Sequence, residues 1–188
     1  YLITNSSKEI SYSKLANIMN IKHVSTISNW INYLEETFLI IKLERFNFEL
    51  KQQFIAPKKI YCMDTGLIDS IGFKFSEDKG NMIENLVSIE LQRKKEKKEN
   101  LEIYYWKDHQ QNECDFIIKN KQTIEELIQV TYANKKEDIK EREINSLLKA
   151  SQKLNCNNLT IITWNYKDKK EIEKKEIKFI PLIDWLLN

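Results

Sequence analysis

Apolar residues in the first part of the chain recur at helical spacing. Ser11 can cap a first helix holding Leu15, Ala16, Ile18 and Met19, and a second, starting near Ser25, sets Ile27, Trp30, Ile31 and Leu34 at i, i+3, i+4 and i+7. Trp30 is therefore expected in the core of this pair. Residues Asn20 to Val24 break the pattern, so the two helices resemble a helix-turn-helix. Phe38 to Leu43 and Ile55 to Cys62 have strand-like composition around a polar turn and would supply the wing of a winged helix. The glycine-bearing segment Met63 to Lys79 reads as a boundary, with Asp64 accepting hydrogen bonds from its own turn and Gly66 supplying a positive φ.

Beyond Gly80 the pattern changes to helices alternating with strands. A helix over about 81–95 places Ile83, Leu86, Val87 and Leu91 on one face, and strands follow near 101–106, 113–119 and 125–132. A charged helix over about 137–154 holds Ile139, Ile144, Leu147 and Leu148. Leu159 to Trp164 and Ile177 to Ile180 read as strands, and Pro181 opens a last helix through Leu187. This order predicts an α/β protein with a mixed central sheet, divided into a winged-helix module over 1–75 and an α/β domain over 80–188.

The strand pattern carries polar residues where core residues belong. A period of two puts Glu113, Asp115, Ile117 and Lys119 on one face of their strand, and Glu125, Leu127, Gln129 and Thr131 on one face of the next. A metal-dependent nuclease needs an Asp on one strand, then an acid and a Lys two apart on the next. The carboxylates hold Mg²⁺ and the ammonium steadies the attacking water or the phosphate. Asp115 is in place, but Gln129 and Thr131 stand where that chemistry wants Glu and Lys. A carboxylate at Asp115, mid-strand among apolar neighbours, calls for a metal, a cationic partner or a wet cleft. Lys119 is either a relocated strand lysine or a solvated edge residue.

Composition narrows the picture. With 30 Lys and Arg against 28 Asp and Glu, the net charge of +2 gives no bulk electrostatic reason to expect nucleic acid, so any basic surface must be local. Cys62, Cys114 and Cys156 are odd in number and lack zinc-ligand spacing, which points to a reducing, cytoplasmic setting. The three glycines cannot form a phosphate-binding loop, so no nucleotide cofactor is expected on this chain. The start at Tyr1, without an initiator Met, leader or membrane-spanning run, suggests a piece of a larger soluble protein. As a DNA reader the second helix would present Ser28, Asn29 and Asn32 to base edges, with Lys14, Lys22, Lys42, Arg45 and Lys51 on phosphates. Glu35 and Glu36 oppose that use, and a rigid protein-packing role stays open.

Several segments in order resemble the C-terminal half of a family of prokaryotic AAA-type ATPases: Lys59-Ile60-Tyr61-Cys62-Met63-Asp64-Thr65-Gly66-Leu67, Gly80 to Val87, Tyr104-Tyr105-Trp106-Lys107 and Glu113-Cys114-Asp115-Phe116. Ile128-Gln129-Val130-Thr131-Tyr132 and Arg142 to Leu148 complete the set. The resemblance implies a P-loop ATPase half as partner, binding ATP outside this chain, then a winged helix and a restriction-endonuclease-like domain similar to PD-(D/E)XK nucleases. It also implies a place for Glu84 as an extra metal-facing carboxylate beside Asp115, with Mg²⁺ as the ion; the macrodipole of its helix is the alternative reason for that residue. Three readings follow: a nucleic-acid-binding or regulatory module with a degenerate nuclease site, an active Mg²⁺-dependent nuclease, and a protein-interaction scaffold.

Overall fold

The computed structural model describes residues 1–71 and 79–187. The first half runs β1 (Glu9–Ile10), α1 (Tyr12–Ile18), α2 (Val24–Glu36), β2 (Ile40–Arg45), α3 (Leu50–Ile55), β3 (Lys58–Cys62) and α4 (Thr65–Ile71). The second half runs α5 (Lys79–Lys97), β4 (Leu101–Lys107), β5 (Glu113–Asn120), β6 (Thr123–Val130), α6 (Glu141–Leu154), β7 (Leu159–Thr163), β8 (Asp168–Ile172), β9 (Lys175–Pro181) and α7 (Leu182–Leu186). The architecture is mixed α/β. A single sheet crosses both halves in the order β1-β3-β2-β4-β5-β6-β7-β9-β8. The join is a short parallel pairing of β2 with β4, Glu44 opposite Tyr104 and Arg45 opposite Tyr105.

Alternation along the central strands sorts side chains to the two faces of the sheet. Phe116, Ile118, Ile128 and Val130 pack with Ile83, Val87 and Leu91 of α5, whereas Ile117, Leu127 and Ile161 pack with Leu147, Leu148 and Leu154 of α6. One helix therefore covers each face. A third cluster, Ile10, Leu15, Ala16, Ile27, Ile31, Ile40 and Ile60, forms the core of the first half. Ser11 caps α1 as expected, its hydroxyl accepting from Lys14 N at 3.4 Å.

Asn85, fully buried on α5, ties the halves together. Its Oδ1 accepts from Cys62 N at 2.8 Å and from the Ser6 hydroxyl, and its Nδ2 donates to Cys62 O at 2.8 Å, so one amide satisfies both polar groups of a backbone unit at the end of β3.

Several expectations are corrected. Trp30 is 41% exposed, while Ile27 and Ile31 are 1% exposed. At about 100° per residue Trp30 lies to one side of the stripe that α1 and the small sheet cover. Trp30→Ala should accordingly cost less than the ~3–5 kcal/mol of a fully buried aromatic, as read by urea denaturation. A loss of several kcal/mol would put the ring back in the core. The expected polar turn between the wing strands contains α3, and β3 begins at Lys58 rather than Ile55. Gly66 has no positive φ and sits in α4, although Asp64 does accept from Gly66 N at 2.7 Å. The boundary read at Met63 to Lys79 is partly helical in α4 and partly outside the described residues, Gly72 included.

Candidate functional site

Three carboxylates from two elements converge on one ammonium. Lys59 Nζ, on β3, lies 2.9 Å from Glu84 Oε1 on α5, 3.2 Å from Asp115 Oδ1 and 2.5 Å from Glu113 Oε1 on β5. Glu113 and Asp115 of β5 both reach this point, Asp115 from the bulge where the β4–β5 register shifts and strict alternation with Ile117 is lost. Along β3 the period of two sets Tyr61 beside Lys59, where its hydroxyl donates to Glu84 Oε1 at 2.8 Å. The other oxygen of Asp115 accepts from Val130 N at 2.9 Å. A second shared lysine, Lys107, bridges Glu113 at 3.1 Å and Glu9 at 2.8 Å.

Burial sets the titration of this cluster. Desolvation pulls the Lys59 ammonium down, but Glu84, Tyr61, Asp115 and Glu113 overcome it and hold the lysine well above its ordinary value. Burial, then the Asp115 charge, push Glu84 up to about 7 against the pull of Lys59. Asp115 is raised by burial despite Lys59. Burial acts upward on Glu113 as well, but Lys59 and Lys107 hold that carboxyl below its usual value. The cluster is a lysine held charged among acids of unequal strength.

Above it opens a cleft of about 940 Å³ between the first turns of α5 and α6 and the end of β6. Gln129 and Thr131 line it with Asp115 and Glu84, so the four residues read from the sequence as a nuclease-like group share one cleft. A divalent cation does not fit the arrangement as it stands. The point where the carboxylate oxygens meet is filled by Lys59 Nζ, Gln129 contributes no formal charge, and no group of three His, Cys, Asp or Glu among the described residues is disposed to hold a metal ion. Lys119, near the end of the interior strand β5, pairs with Glu102 on β4 at 2.9 Å rather than with the cluster.

Lys59, Tyr61 and Glu113 were not among the residues singled out for the site. The sequence offered only two lysines opening an apolar, strand-like run; the structure shows that all five residues of Lys58–Cys62 are buried, and a fully buried lysine needs a partner. Of the residues read for DNA, Lys22 and Asn29 are exposed on or next to α2 and Ser28 is half-buried. Asn32 instead accepts from Lys42 Nζ at 2.9 Å, Lys42 also pairs with Glu35 at 2.7 Å, and Arg45 spends its guanidinium on the Lys107 carbonyl at 2.5 and 3.1 Å. Those three make contacts within the chain.

Residues 79–185, which contain α5, the central strands and all three carboxylates that meet Lys59, match a family described as a domain of unknown function, DUF4143. The chain belongs to the DUF4143 family. Residues 1–78 match a second domain of unknown function, DUF8612, so Lys59 reaches from the DUF8612 segment into the acids of the DUF4143 segment. An uncharacterized protein of Methanocaldococcus jannaschii is 36% identical over 200 aligned positions, which cover 99% of this chain and 42% of the relative. The chain thus spans less than half the length of that relative. No solved structure matches it. No helix among the described residues is long and apolar enough to cross a membrane.

Proposed function

We propose that this DUF4143 chain is a non-cleaving, nucleic-acid-binding module of a longer ATPase, with a nuclease-like site whose cation is a built-in lysine. The observation that carries this reading is Lys59 Nζ within 3.2 Å of oxygens from Glu84, Glu113 and Asp115. A tethered ammonium neutralises the acids but cannot activate a water as a bound Mg²⁺ does. Gln129 and Thr131 point the same way, because the second acid and the strand lysine are missing. Support for nucleic acid comes from the exposed cations Lys79, Lys140 and Arg142 around the cleft, suited to phosphates. The first half has the order of a winged helix, two helices followed by a hairpin with β1 beside β3. Ser28, Asn29 and Lys22 are its candidate DNA contacts.

A protein-contact reading has its own observation. Phe48, Leu50, Phe54 and Ile55, in and before α3, are 65–81% exposed, a density of apolar surface that suits a partner protein. One experiment separates the readings: binding and cleavage of single- and double-stranded DNA and RNA, with Mg²⁺ or Mn²⁺, across a salt series. Binding that weakens steeply with salt, without cleavage, is expected. Metal-dependent cleavage abolished by Asp115→Ala would instead establish a nuclease, and no binding at low salt would leave the protein-contact role.

A further inference from the structure

Among the described residues two side-chain oxygens on the wall of the cleft lack a donor, Gln129 Oε1 and Glu143 Oε2, the Glu143 carboxyl group being bonded otherwise to Thr131. Gln129 is 7% exposed, so its amide is buried in the wall rather than solvated. An acceptor enclosed this way is costly unless something brings it a donor. Glu143 lies in the first turn of α6, a fourteen-residue helix with no side-chain cap at its N-terminus. There the helix dipole favours an anion, the first turn already carries the acids Glu141 and Glu143, and the neighbouring Lys140 and Arg142 are exposed cations able to take a phosphate. Across the cleft Tyr132 supplies an aromatic face, its ring 5.6 Å from that of Trp164 and 5.0 Å from Lys79 Nζ.

Acceptors inside, an aromatic wall and an anion-attracting mouth ask for a ligand with a donor edge, a flat π-system and a phosphate. A nucleotide with an amino-bearing base has all three. Taking the nucleic-acid reading as its basis, we infer that the cleft receives one unpaired nucleotide of a single strand, with its exocyclic amino group on Gln129 and Glu143, its base against Tyr132 and its phosphate at Lys140 and Arg142. A glutamine amide matches the N6 and N7 edge of adenine, and a carboxylate accepts from the amino group of cytosine. In a duplex the base is stacked between its neighbours and its face cannot lie against Tyr132, so a strand must be open at this position. The volume of about 940 Å³ is within the range of sites that enclose such ligands.

The test is fluorescence anisotropy of short dA, dC, dT and rA oligomers, with the dA duplex as comparison, on the parent chain, Gln129→Met and Arg142→Ala. We expect dA and dC to bind roughly 5-fold or more tighter than dT, the scale of one specific base contact. Gln129→Met should remove that preference while leaving dT binding in place, and Arg142→Ala should weaken every strand alike. The dA and rA arms distinguish DNA from RNA as the source. Equal affinity for dA, dC and dT would overturn the inference, as would duplex binding tighter than any single strand; in both cases salt-dependent binding would still stand for the broader reading. Binding to no nucleic acid would remove both. Should Gln129→Met fail to fold, the parent's own base preference still decides.

Discussion

Lys59→Ala is expected to cost about 3–5 kcal/mol, the scale for breaking a buried ion pair by removing one partner. Deletion of the ammonium leaves Glu84, Glu113 and Asp115 facing one another where three oxygens had met one charge. Like charges at that distance cannot all stay ionised, so the variant should take up protons or a cation. The same vacated point would offer a hard divalent ion the several carboxylate oxygens that such an ion needs. Denaturant unfolding with Mg²⁺, Ca²⁺ or a chelator is the measurement. The variant should regain stability with the metal and the parent should not respond. Equal midpoints for the two chains in chelator would show that the lysine does not hold the site together.

Glu84→Gln should change the pH dependence of stability. The folded chain binds the Glu84 proton more tightly than the unfolded chain, with a value of about 7 against 4.5. Burial and the Asp115 charge cause this, and Lys59 opposes it. The sign follows from proton uptake on folding: Glu84 detracts nothing below the unfolded value, and its penalty grows as pH rises through the interval and is complete above about 7. Glutamine keeps an acceptor for Lys59 and Tyr61 but never ionises. Relative to the parent, the variant should therefore gain about 3 kcal/mol on going from pH 4.5 to pH 8, from roughly 1.4 kcal/mol per unit. Parallel curves for parent and variant across that interval would mean Glu84 titrates as an ordinary carboxylate. Glu113, held low by Lys59 and Lys107, works in the opposite direction at acid pH and is common to both chains.

The helices whose burial is one-sided were legible in the chain itself. Ile83, Val87 and Leu91 on α5 and Leu147, Leu148 and Leu154 on α6 each face one covered side, so hydrophobic spacing reports them directly, while β5 and β6, covered on both faces, show as short apolar runs. β8 was not legible. Its residues Asp168–Ile172 expose alternate positions and it pairs only with β9, through a turn in which Glu173 and Lys174 both have positive φ, at 51° and 61°. That turn type is ordinarily announced by Asn or Gly, and here neither is present. α3 was hidden for a related reason: its apolar residues point outward, so periodicity gave no guide to which side they serve.

By itself the sequence determined the α/β class, the apolar faces of the main helices, and the presence of Asp115 with Gln129 and Thr131 in place of an acid and a lysine. These are properties of residue type and spacing within one segment. Only the tertiary structure decided what meets Asp115. Lys59 is 56 residues away in sequence and reaches the carboxylates because β3, in the first half, joins the same sheet as β5 in the second. Charge pairing across such a distance depends on strand order and on which side chains burial brings together, and spacing within a segment carries neither.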